Sequence, residues 1–182
     1  EIDDEAFRKG GIATLDPIDF TGKVDADAVA LIESETDKLI NDGKFVISLG
    51  AEHTVTLGFV KSHMKKYGEF TVLQIDAHSD LRQSYHGNPY SHASVMARVH
   101  DLGVNLVQIG IRAQCKEEAE LIKSSNNIHT FYAHYVRSNP NWMQEALAAM
   151  GEQVYITIDA DGFDPSVIPF VGTAEPNGLY WH

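Results

Sequence analysis

Five short, nearly unbroken apolar runs recur along this chain. They lie at 44–50 (KFVISLG), 70–76 (FTVLQID), 106–111 (LVQIGI), 128–133 (IHTFYA) and 154–159 (VYITID). Runs of this length without polar alternation fit parallel strands covered on both faces. Helical patterns separate them. In EHTVTLGFVKSHMKKYG, Val55, Phe59, Val60, His63, Met64 and Tyr67 fall on one stripe, and Gly68 is a natural stop. In SNPNWMQEALAAMG, Asn139 is placed to cap, Pro140 suits the first helical position and Gly151 ends the segment; Trp142, Met143, Ala146, Leu147 and Met150 form its apolar stripe. DADAVALIESETDKLI is a weaker amphipathic helix ahead of the first run. The alternation predicts one α/β domain with a mostly parallel sheet.

The chemistry-bearing residues follow the apolar runs. His53 comes just after the first. Asp76, His78 and Asp80 end the second at every other position, and Asp159 and Asp161 end the last at the same spacing. Side chains two apart on an extended chain share a side, and open parallel sheets bind ligands beyond their strands' carboxyl ends. Four carboxylates and two imidazoles are thereby delivered to one sheet edge. Unpaired buried carboxylates are costly, and four carry about −4 at neutral pH. One divalent ion leaves roughly −2, whereas two leave approximately zero, so a two-metal site is the simplest neutral arrangement. Oxygen donors with two imidazoles favour Mn²⁺. A water polarised between two such ions would lose a proton near neutral pH.

Other residues have plainer readings. Asp164 before Pro165 reads as a turn former. His63 lies on an apolar stripe, and His100, His129 and His134 have no acidic neighbours at ligand spacing. Cys115, the single cysteine, cannot form an intramolecular disulfide; it reads as an incidental thiol and fits a cytoplasmic protein. The net charge of −12 argues against nucleic acid or an anionic membrane as partner. No apolar run approaches membrane-spanning length, and the acidic start, EIDDEAFRKGG, does not read as a signal peptide.

GAEHT, IDAHSD and TIDADGFDP, in this order, resemble the three metal signatures of the ureohydrolases, the family of arginases and agmatinases. The resemblance implies a three-layer α/β/α fold and two Mn²⁺ held by His53, Asp76, His78, Asp80, Asp159 and Asp161. It also implies hydrolysis of a guanidinium group with release of urea. GNPYSHASVMARV and VGTAEPNGLYW look agmatinase-like, which makes conversion of agmatine to putrescine the expected reaction. Guanidinobutyrate, arginine or formiminoglutamate would fit the same metal core. His92 matches a family histidine that binds substrate or shuttles protons, and a near-neutral imidazole suits protonation of a leaving amine. Asp80 or Asp161 would orient the nucleophile, and Tyr85, Asn88 and Ser91 would read the substrate tail. The family is usually trimeric or hexameric, so a homo-oligomer is expected.

Two departures stand out. Where the family more often reads Gly-Gly-Asp-His, this chain has Gly50, Ala51, Glu52 and His53. The family's guanidinium-holding glutamate lies beyond the GLYW-like stretch, and the residues here stop at His182; Glu175 is not assigned its role. The 182 residues are accordingly expected to be a single domain cut short at both ends. Two competing readings are a one-metal hydrolase such as an amide deacetylase, and a non-catalytic metal-binding homologue.

Overall fold

A computed structural model describes residues 10–181. Four strands form one wholly parallel sheet: β1 (Thr71–Ile75), β2 (Asn105–Ile111), β3 (Ile128–Tyr132) and β4 (Val154–Ile158), in the order β3-β2-β1-β4. Among the described residues the sheet is accompanied by helices α1 (Asp25–Asn41), α2 (Thr56–Tyr67), α3 (Val95–His100), α4 (Lys116–Ser124), α5 (Ala133–Ser138) and α6 (Trp142–Ala148). No helix among the described residues is long and apolar enough to cross a membrane.

Successive strand residues feed two different cores, as the pleat requires. On one face Val72, Leu106 and Ile128 pack with Val29 of α1, Leu57 and Val60 of α2, and Val95, Met96 and Val99 of α3. On the other, Val107, Ile109 and Phe131 pack with Ala146, Trp142 and Val136 from α6 and α5. Both faces are therefore covered, which gives the expected three layers and explains why the strands read as continuous apolar runs.

Two expectations are corrected. The run 44–50 joins no ladder, and Phe45, Ile47 and Leu49 are 92, 80 and 97 % exposed. Its apolar pattern is that of a strand, but no strand among the described residues lies beside it to pair with. It instead walls an apolar cavity of about 1040 Å³ whose opposite wall is the outer edge of β4. In α6 the helix starts at Trp142, and the Asn139 side chain accepts from the Asn141 N–H (2.9 Å), folding the turn ahead of it. Ala146 is buried, while Met143 and Leu147 face outwards, because contact with the sheet is confined to a narrower stripe than the pattern suggested.

Candidate metal centre

His53 opens a short 3₁₀ turn, His53–Val55, that runs into α2 and is buried. Asp76 leaves the end of β1, and Asp159 and Asp161 leave the end of β4, the latter within the 3₁₀ turn Ala160–Gly162. Close approach of this turn to β1 needs a residue without a side chain. A Cβ on Gly162 would lie 2.8 Å from the Asp76 nitrogen.

Five of the six predicted ligands fall into two overlapping clusters. His53, Asp76 and Asp159 form one, and Asp76, His78 and Asp161 the other; within each, one ligand atom per residue lies within 4.8 Å of the rest. Asp76 belongs to both. Its Oδ2 is 3.0 Å from His53 Nδ1, while its Oδ1 accepts the His78 backbone N–H at 2.7 Å. Asp80, the sixth, adjoins the first cluster, with Oδ2 2.7 Å from His53 Nδ1. Asp161 Oδ2 is 3.1 Å from His78 Nδ1 and accepts the Thr173 hydroxyl at 2.7 Å.

The local path differs from a simple extended run. The strand ends at Ile75, and Asp80 adopts a left-handed conformation (φ 52°) uncommon for a residue with a Cβ. Its carbonyl accepts the N–H groups of Met96 and Ala97 at the start of α3, which holds it there. As a result His78 and Asp80 flank Asp76 on opposite sides, rather than lining up on one.

Among the described residues no lysine or arginine lies within ion-pair distance of these four carboxylates; only imidazoles do. Burial on its own would discharge His53, but Asp76 and Asp80 outweigh it and raise its pKa to about 10. Hydrogen bonding to Asp161 and then Asp76 raises His78 to about 10. Burial pushes Asp80 up to about 6 against the pull of His53. Burial would also raise Asp76, yet His53 and His78 hold it below the ordinary carboxylate range. Asp159 is raised by burial and by the charge of Asp76. Carboxylates crowded until they borrow protons and imidazoles held charged form a donor set that divalent cations would relieve. The residues fit such ions.

The flanking loop is less committed. His92 is half exposed, with Nδ1 3.5 Å from Glu52 Oε2 and its ring 5.6 Å edge-on from Tyr85. The Asn88 amide donates to Asp25 at 2.7 Å and its oxygen accepts the Tyr90 N–H, so this side chain ties its loop to α1. Ser91 donates to Ser94. Asp164 takes its turn-forming role: it accepts from Ser166 and Gly178, which lowers its pKa to about 2.

Three supporting groups escaped the sequence. Arg112 spans the gap between β2 and the loops at 161–163 and 175–176, donating to backbone carbonyls on both. The buried Glu118 accepts the Leu81 N–H at 2.9 Å and the Cys115 N–H at 2.6 Å, pinning the chain after Asp80 to α4. Gln74 and Gln108 are fully buried, and Gln74 donates to Asp76 Oδ2 at 2.8 Å. A glutamine inside each of two otherwise apolar runs was the available signal for the last pair.

The chain is similar in sequence and fold to known proteins. An N(1)-aminopropylagmatine ureohydrolase of a Synechocystis species is 49 % identical over 145 residues, 79 % of this chain and 47 % of the relative. An agmatinase of Bacillus anthracis is 39 % identical over 153 residues, 82 % of this chain and 51 % of its own. The chain thus spans about half the length of these curated relatives. Among solved structures, the agmatine ureohydrolase of Thermoplasma volcanium superposes with a TM-score of 0.72 at 34 % identity, over 84 % of this chain and 52 % of that one. The arginase of Bacillus cereus also gives 0.72, at 28 % identity, over 84 % and 61 %. The family model described as "Arginase family" matches residues 2–182, so the chain that carries these two clusters belongs to the arginase family.

Proposed function

We propose that this chain carries a binuclear manganese centre that hydrolyses an alkylguanidinium substrate and releases urea. The observation that carries the reading is the sharing of Asp76 between two ligand clusters. A carboxylate that belongs to both clusters would suit two cations held side by side, and a single-metal hydrolase has no use for one. His53, Asp76, Asp80 and Asp159 would hold one ion and His78, Asp76 and Asp161 the other. Predominantly oxygen donors with two imidazoles suit Mn²⁺. When bound, the pair supplies the Lewis acidity that makes water a competent nucleophile at neutral pH.

The chain's own residues do the rest. Either Asp161, held by Thr173 and by the Ala77 N–H (3.2 Å), or Asp80, held by the start of α3, would accept a hydrogen bond from the attacking water and orient it towards the guanidinium carbon. His92 stands outside both clusters with its imidazole free to donate a proton to the departing amine nitrogen, and Glu52 at 3.5 Å orients it. Glu175 reaches to 3.8 Å from His78 Nε2, so acidic groups stand on two sides of the site. That rim suits a substrate with further ammonium groups and no carboxylate. Agmatine fits, and the 49 % identical relative favours its N(1)-aminopropyl derivative.

The test is urea release by the Mn²⁺-loaded full-length protein with agmatine, N(1)-aminopropylagmatine, arginine and guanidinobutyrate, and formamide release with formiminoglutamate. Turnover of the first two is expected to exceed the rest. Bound metal with no turnover of any substrate would overturn the enzymatic reading and leave a metal-binding homologue.

A further inference from the structure

One level below the cation ligands, a polar row crosses the whole sheet. The parallel register places Thr130 of β3 opposite Gln108 of β2, Gln108 opposite Gln74 of β1, and Gln74 opposite Thr157 of β4. One step further down, the same face carries Val72, Leu106 and Ile128 of the apolar core. Two residues further up β1 and β4 stand Asp76 and Asp159. The row therefore separates the hydrophobic layer from the charged one.

Its hydrogen bonds run in one direction. The Thr130 hydroxyl donates to Gln108 Oε1 at 2.8 Å. The two Gln108 amide hydrogens go to Gln74 Oε1 (2.6 Å) and to the Ser79 carbonyl (2.9 Å). The two Gln74 amide hydrogens go to Asp76 Oδ2 (2.8 Å) and to the His78 carbonyl (3.0 Å). Each amide carries two hydrogens and an accepting oxygen, and every one is used. Flipping the Gln74 amide would set its oxygen against a carboxylate and a carbonyl, so the orientation is fixed by charge. At the far end Thr157 Oγ1 is 3.0 Å from His53 Nε2 and 2.9 Å from Thr56 Oγ1, leaving His53 Nδ1 turned to the carboxylates.

We propose that this row positions the metal centre, and that Gln108 governs cation affinity without touching any ligand side chain. It acts by two routes. Through Gln74 it fixes the rotation of the carboxylate that both clusters share, keeping Oδ2 on the His53 side and Oδ1 on the His78 side. Through the Ser79 carbonyl it holds the turn that carries His78 and Asp80 on either flank. A bridging ligand that rotates freely cannot serve two ions at once, and partners behind metal ligands tune affinity strongly.

The proposal rests on the metal centre described above, and its test separates the two. The full-length protein is stripped with chelator, and Mn²⁺ binding is measured by calorimetry and by the electron paramagnetic resonance of free Mn²⁺. If the unsubstituted protein takes up no Mn²⁺, the metal centre itself falls, and this proposal with it. If it does, Gln108→Met, similar in size but without the amide, should bind Mn²⁺ about tenfold or more weakly. Gln74→Met should lose at least as much, and the double variant should lose more than Gln74→Met alone but less than the sum of the two, because one route runs through Gln74 and the other through the Ser79 carbonyl. Folded Gln108→Met with unchanged Mn²⁺ affinity, even at a lower melting temperature, would show that the amides merely fill the interior and would overturn the proposal. So would two losses that simply add. Should Gln108→Met fail to fold, Thr130→Val at the half-buried end of the row decides: weaker Mn²⁺ binding is expected, and unchanged affinity overturns the idea.

Discussion

Replacing Arg112 by methionine probes what holds the loop that carries Asp161 against the sheet. The guanidinium has five N–H groups, and five short contacts take all of them. Nε donates to the Pro176 carbonyl (3.1 Å), Nη1 to those of Gly110 (3.0 Å) and Gly162 (3.1 Å), and Nη2 to those of Asp161 (2.6 Å) and Glu175 (2.9 Å). Methionine keeps most of the apolar stem and removes only the donors. At about 1 kcal/mol net per bond, the sum is roughly 5 kcal/mol. Arg112 is half-buried, so water rescues some of the carbonyls, and about 3 kcal/mol is the expected loss. In urea denaturation, with a slope of roughly 2 kcal/mol per molar, the midpoint should fall by about 1.5 M at unchanged slope. Arg112→Lys keeps the charge but offers three hydrogens from a single point, so it should fall between the two. A midpoint for Arg112→Met within about 0.3 M of the parent, at equal slope, would refute the idea that this side chain staples the loops.

The other expectations concern the centre directly. Asp76→Ala removes the carboxylate common to both clusters, so Mn²⁺ uptake and turnover should both vanish; Asp159→Ala should also lose activity and reduce bound metal, and full turnover in either variant contradicts the assignment. In the metal-free protein His53 and His78 are raised from 6.5 to about 10. Their contribution to stability is therefore complete below about pH 6.5 and lost as pH climbs to 10. Cations need both imidazoles neutral, so Mn²⁺ affinity should rise across the same window with release of protons. Calorimetry in buffers of different ionisation enthalpy reads that release, and affinity independent of pH would count against it. His92→Ala should cut kcat by about 10² to 10⁴ while leaving Mn²⁺ binding intact, because His92 lies outside both clusters; a parallel loss of metal would place His92 among the ligands instead.

The residues with the sharpest chemistry were the easiest to read from the chain. Asp76, His78, Asp80, Asp159 and Asp161 stand out as candidates because they recur at every second position at the ends of two apolar runs, whereas a lone Asp there reads as a cap or turn former. The groups that aim them were hidden for a physical reason: they act through partners distant in sequence. Arg112 bonds to carbonyls up to 64 positions away, and carbonyls leave no mark in a sequence. Gln74 and Gln108 become intelligible only once the register sets them side by side. The strand expected at 44–50 failed for the complementary reason. Apolar pattern shows that a segment can pair, whereas pairing also needs a neighbour. Met143 and Leu147 were placed inside because a helical stripe gives the direction of burial but not its width.

The outer edge of β4 carries a further implication. Val154, Ile156 and Ile158 are partly bare there, and no strand among the described residues hydrogen-bonds to that side. It is a ready template for an incoming backbone. A polypeptide laid along it in parallel would widen the sheet by about 4.8 Å, and its last residue would arrive beside Asp159, at the lip of the cation pocket. Drying that flank and raising a wall beside the substrate would then be one and the same event. Left open, the same track would draw other copies of the chain together, so clumping and poor catalysis would share a cause.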